Sequence, residues 1–171
     1  MGFNLETFTV FHVVLSLVGI ASGLVCAFGW LTGRRFHTWE TVFLVTTAAT
    51  SLTGFGFPFH TLLPSHIVGI ISLAVLAGAV VARVLPMPAN AAALIFVSTA
   101  MLALYLNVFV LIVQLFQKVP ALKALAPTQS EPPFVIAQAV VLVAYLALSV
   151  VAVLKARKTS PTPLAARTPA R

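Results

Sequence analysis

Five apolar runs, at about 8–31, 39–57, 63–85, 91–116 and 134–154, occupy most of this chain. Each approaches the roughly 20 residues that a helix needs to cross a hydrocarbon core of about 30 Å. In lipid a backbone must satisfy its own N–H and C=O groups, so runs of this length fold as helices. The expected fold is an all-α integral membrane protein, a five-span transmembrane helical bundle within a single domain of residues 1–154. Composition agrees, since only 8% of the residues are charged, against roughly 25% in soluble domains.

Turns punctuate the runs. In the stretch GFGFPFHTLLPSHIVG, Gly54 and Gly56 end one helical pattern and Pro58 forbids its continuation. Pro64 suits the first turn of the next helix, where its missing N–H costs nothing. The second run is the most polar, with Thr41, Thr46, Thr47, Thr50, Ser51 and Thr53. Hydroxyls can bond to carbonyls of their own helix, so it is retained as a span. In the long connector 117–133, Pro120 and Pro127 bound a segment fit for about two turns, with Leu122 and Leu125 at the interface. Ser130 is the expected N-cap of the last helix, with Glu131 near its positive end and Pro132 and Pro133 in its first turn.

Charge sets the orientation. With five spans, Arg34, Arg35, Arg83, Lys155, Arg157, Lys158, Arg167 and Arg171 fall on one side, and only Lys118 and Lys123 on the other. By the positive-inside rule the C-terminus is cytoplasmic and the N-terminus outside. The basic tail 155–171, with three prolines, is expected to be disordered in the cytoplasm, against anionic headgroups. A net charge of +7 carried by connectors and tail is no signature of nucleic-acid binding. No Lys or Arg precedes the first run, which is too long for a signal h-region, so it is expected to stay as a span. The sole cysteine, Cys26, lies inside a run and reads as a small packing residue.

Helical spacing identifies faces. His12, Ser16, Gly19, Gly23 and Ala27 recur at steps of three or four and share one side of the first span, including a GxxxG pair. Such a side admits close helix packing, within one bundle before homo-oligomerisation. At about 1.5 Å per residue, His12 and His66 lie roughly 6 and 4 Å below the outer ends of their helices, and Gln114 and Gln138 at roughly 4 to 8 Å. Asn107, seven residues before Gln114, lies deeper. These five residues are the candidate ligand-binding set, an outer-facing polar pocket.

His12 and His66 are also the pair from which axial ligation of b-type haem would come. A quinone would suit imidazole and amide donors among phenylalanines. His12, His60 and His66 form a weak three-histidine metal set without a known ligand spacing. On the other side, His37 and Glu40 are three apart, read as a solvated interfacial ion pair, and Trp30, Phe36 and Trp39 read as an aromatic belt.

No nucleophile elbow, P-loop, HExxH or dinucleotide motif occurs, and there are three carboxylates in all, so enzymatic chemistry is the less expected class. The odd number of runs argues against a simple inverted-repeat transporter. The expected function is that of a small binding or accessory subunit in a bacterial-type cytoplasmic membrane, with the bilayer and other membrane subunits as partners. A haem or quinone redox subunit and a small-solute or ion pathway are the alternatives. The orientation is checked by fusing compartment-specific reporters to the tail and near Thr128. Cytoplasmic activity is expected at the tail and external activity at Thr128; a cytoplasmic signal at Thr128 rejects both orientation and span count.

Overall fold

The computed structural model describes residues 4–57 and 64–159. They form six helices: α1 Leu5–Leu31, α2 His37–Gly54, α3 Pro64–Val84, α4 Ala89–Lys118, α5 Pro120–Leu125 and α6 Pro132–Thr159. The five long ones match the five apolar runs to within a few residues. Four of them, α1, α3, α4 and α6, are long and apolar enough to cross a membrane. The 18-residue α2 is less apolar because of its hydroxyl residues.

The helices pack antiparallel in chain order. Along α1 and α2, Trp30 meets Glu40 at one end, and His12 meets Thr53 near the other. The ring continues through α3 and α4, where Arg83 lies over Phe96, and closes where Gly23 of α1 faces Leu104 of α4. Helix α6 packs on α4 and α1 from outside this ring. Tyr105 stacks on Tyr145 at 4.8 Å and Phe116 meets Phe134 edge-on at 5.3 Å, so α6 also runs antiparallel to α4. These pairings bring Arg34, Arg35, Arg83, Lys155, Arg157 and Lys158 to one end of the bundle, the arginine end. His12 and His66 lie at the opposite, histidine end.

The burial pattern inverts that of a soluble protein. Val10, Phe28, Val45 and Val143 point outward and are at least 60% exposed, whereas Ser22, Glu40 and Thr47 have no exposed surface. Polar groups inside and aliphatic groups outside suit a lipid solvent. The α2 hydroxyls largely bond within their own helix: Thr46 donates to the Val42 carbonyl at 2.7 Å, Ser51 to Thr47 at 2.9 Å and Thr53 to Ala49 at 2.7 Å. This covers polar groups that would otherwise meet apolar neighbours.

Close approach of α1 depends on its small residues. A Cβ on Gly23 would lie 2.7 Å from Leu104 Cδ1 and 2.9 Å from the Phe43 ring, which is wholly buried. On Gly19 it would lie 3.3 Å from the Thr46 hydroxyl. The GxxxG side therefore serves packing within the bundle, and Cys26, 1% exposed, belongs to the same core.

The long connector is ordered. Helix α5 occupies the segment between Pro120 and Pro127, with Leu125 57% exposed. At the start of α6, Glu131 and not Ser130 takes the N-cap position, its carbonyl accepting the Phe134 and Val135 N–H groups at 3.1 and 3.2 Å. The cap shifts because the Glu131 carboxylate folds back onto the N–H groups of Thr128 and Ser130, each at 3.1 Å. Desolvation acts to raise the Glu131 pKa, but these donors and the Thr128 hydroxyl outweigh it and hold the carboxyl below its ordinary value. Gln129, at φ 60°, donates to the Val113 carbonyl at 2.9 Å and ties the connector to α4.

Substituting Gly23 by alanine should cost about 1–3 kcal/mol, because the buried Phe43 ring has no room to withdraw. Among the described residues a Cβ on Gly54 meets only His12 Cε1, at 3.8 Å, so Gly54→Ala should be close to neutral. Thermal midpoints in one detergent check the contrast.

Candidate functional site

The four residues expected to form one outer layer, His12, His66, Gln114 and Gln138, with Asn107 beneath them, are only partly brought together. His12, half-buried, shares a 2.9 Å hydrogen bond between Nδ1 and Thr53 Oγ1 and meets the Phe57 ring edge-on at 5.1 Å. His66, 5% exposed, stacks on Phe55 at 5.7 Å. Both imidazoles thus pack against the C-terminal end of α2. Asn107 lies deeper, as expected, and donates from Nδ2 to Thr47 Oγ1 at 3.0 Å beside Gly19.

Gln138 sits instead in the α4–α6 seam, donating to the Phe109 carbonyl at 3.2 Å, while its buried Oε1 has no partner among the described residues. Gln114 is exposed on α4 and does not join the layer. Its depth was readable from the helical rise, but its facing follows from how α4 turns its apolar side to α1 and α3. His60 lies outside the described residues. Among those described, no group of three His, Cys, Asp or Glu residues could hold a metal ion.

A short polar seam remains between α1, α2 and α4. Thr53, Thr50 and Thr47 follow one another by one helical turn. The first bonds His12 and the last bonds Asn107. Between them the buried Thr50 Oγ1 has no partner among the described residues. An unpaired buried hydroxyl costs about 1–3 kcal/mol, so this seam has hydrogen-bonding capacity to offer a guest.

The arginine end holds a second constellation, which sequence reasoning took for a solvated pair. Glu40 has no exposed surface. Arg35 reaches it with two hydrogen bonds, Nε to Oε1 at 2.9 Å and Nη2 to Oε2 at 2.8 Å, and Trp30 Nε1 donates to Oε1 at 2.9 Å. His37 Nδ1 stands 3.5 Å away on an exposed ring, and Arg83 Nη1 at 3.7 Å. The Arg35 and Arg83 guanidiniums lie over Phe96, 4.6 and 5.8 Å from its centroid.

Local structure explains the arrangement. Gly33, at φ 75°, takes the left-handed position past the end of α1, with the Arg34 N–H bonded to the Gly29 carbonyl at 2.7 Å and the Gly33 N–H to Trp30 at 3.2 Å. This tight reversal turns Arg35 back under the first turn of α2, where Glu40 waits. Trp30, 3% exposed, is therefore a buried hydrogen-bond donor and not a belt residue, whereas Trp39, 47% exposed, fits a belt. The sequence did carry a signal: Glu40 is the one carboxylate between Glu6 and Glu131, and the topology puts three arginines at its level.

Compared with family models, curated proteins and solved structures, the chain matches none.

Replacing Glu40 by alanine leaves the Trp30 N–H and the Arg35 guanidinium without their acceptor, and Arg83 without its counter-charge. The expected loss is about 3 kcal/mol, the low end for a broken buried pair, because Arg35 and Arg83 keep 37% and 33% of their side chains exposed. Glu40→Gln, which can still accept from Trp30, should lose less. Thermal unfolding and a red shift of Trp30 emission check both.

Proposed function

We propose that this chain is a five-span membrane protein, with its N-terminus outside and its C-terminus in the cytoplasm, that acts as a small binding subunit through its histidine end. Support for the fifth span is the pairing of α2 along α1 from Glu40 beside Trp30 to Thr53 beside His12. Eighteen residues rise about 27 Å, close to a hydrocarbon core. A helix that follows a spanning neighbour over that length traverses the same layer. Support for the orientation is the gathering of basic residues at the opposite end from Lys118 and Lys123. A cytoplasmic membrane of bacterial type is the corresponding location.

The observation that carries the binding reading is the buried Thr50 hydroxyl, without a hydrogen-bond partner among the described residues, between the His12–Thr53 and Asn107–Thr47 hydrogen bonds. Aromatic rings border the seam at the histidine end, with Phe57 against both His12 and Phe8. A ligand suited to it is a compact apolar ring bearing one or two hydrogen-bonding oxygens, as in the quinone class.

A short-chain quinone added to the purified protein should raise the unfolding midpoint by several degrees at a hundredfold excess over its Kd. Thr50→Val should abolish this rise while leaving the unliganded protein as stable or slightly more so, since it removes an unpaired hydroxyl. No rise in the wild-type protein, or an equal rise in the variant, overturns the binding role of the seam.

A further inference from the structure

The arginine end holds more positive charge than its carboxylate neutralises. Arg35 takes both oxygens of Glu40 in a fork at 2.8 and 2.9 Å, and Trp30 takes a third acceptor position. Arg83, at 3.7 Å from Oε2, is near enough for Coulomb attraction but beyond hydrogen-bond length. Its guanidinium is held by Phe96 at 5.8 Å and by that attraction, with 33% of the side chain exposed. A rigid planar donor fork, oriented but not saturated by Glu40, matches the two oxygens of a phosphate.

We propose that Arg83, with Arg35 beside it, binds the phosphate of an anionic phospholipid headgroup at the arginine end. Two observations select a lipid over free phosphate. Arg83 stands in the last turn of α3, one of the four helices apolar enough to cross the membrane, so it lies at headgroup level. On the same stretch of helix, Val80 and Val84 are 48% and 71% exposed and give an acyl chain a surface next to the phosphate. Arg34, from the turn before α2 at the same end, adds to the field that concentrates anionic lipid. The site is independent of the quinone-class seam at the other end and of which leaflet the arginine end faces.

The test is lipid retention by the full-length protein, read by native mass spectrometry after exchange into mixed phosphatidylglycerol and phosphatidylcholine. The wild-type protein should retain phosphatidylglycerol preferentially, and Arg83→Gln should lose about fivefold of that preference. Arg157→Gln, equal in charge change but outside the cluster, should change it little. Val84→Glu, at an exposed position away from the Glu40 contacts, should weaken retention by repulsion, which keeps the test informative if Arg83→Gln fails to fold. Millimolar inorganic phosphate should leave the bound lipid in place. Absence of preference in the wild-type protein, an equal loss in Arg157→Gln, retention unaffected by Val84→Glu, or displacement by inorganic phosphate overturns the proposal.

Discussion

An ionised carboxylate without exposed surface is costly unless donors surround it, and Glu40 imposes that condition on the bundle. Four helices or their ends supply the solution. Trp30 comes from α1, Arg35 from the turn that Gly33 makes possible, Arg83 from α3, and Phe96 of α4 provides the face on which both guanidiniums rest. A shift of one residue along any of these helices swings its side chain by about 100° around the axis and removes the contact. The charge cluster therefore fixes register as well as neutralising charge, which apolar packing in a lipid solvent does weakly.

Away from that end, association depends on how near the backbones come. Lipid tails are as apolar as leucine, so burying leucine between helices gains little over leaving it in lipid. Gly19 and Gly23 instead let α1 approach the ring of Phe43 and the hydroxyls of α2. The hydroxyls that lower the mean hydropathy of α2 are turned toward its own carbonyls and toward neighbouring helices. Composition understates how well these hydroxyls are covered, because Thr47 and Ser51 are buried and Thr46, Thr50 and Thr53 half-buried, with Thr41 left on the exposed side.

The same physics explains what was legible in the sequence. Helix ends were readable because Gly, Pro and charged residues interrupt long apolar runs, and α5 was readable from the prolines around it. Depth followed from a fixed rise per residue, so His12 and His66 do meet the same end of α2 and Asn107 does lie beneath. Facing did not follow. Gln114 points outward, Gln138 serves the α6 seam, and Trp30 turns inward to Glu40, because helix rotation is set by neighbours whose order the sequence does not state. GxxxG was the exception, since small residues at helical spacing mark a contact side whatever the partner.

Between the two polar constellations lies a level that is closed. Moving along α2 from Thr53 through Thr50 and Thr47, the next inward turn is Phe43, wholly buried against Gly23 and close to Leu104, and only beyond it comes Glu40. A continuous path for a solute or proton needs polar partners or water at every step, and an aromatic ring packed between three helices supplies neither. On the reading proposed above, neutral donors and hydroxyls at the histidine end and charged groups at the arginine end serve as two separate recognition surfaces, with the buried Phe43 ring between them. That division favours binding at each end over permeation between them.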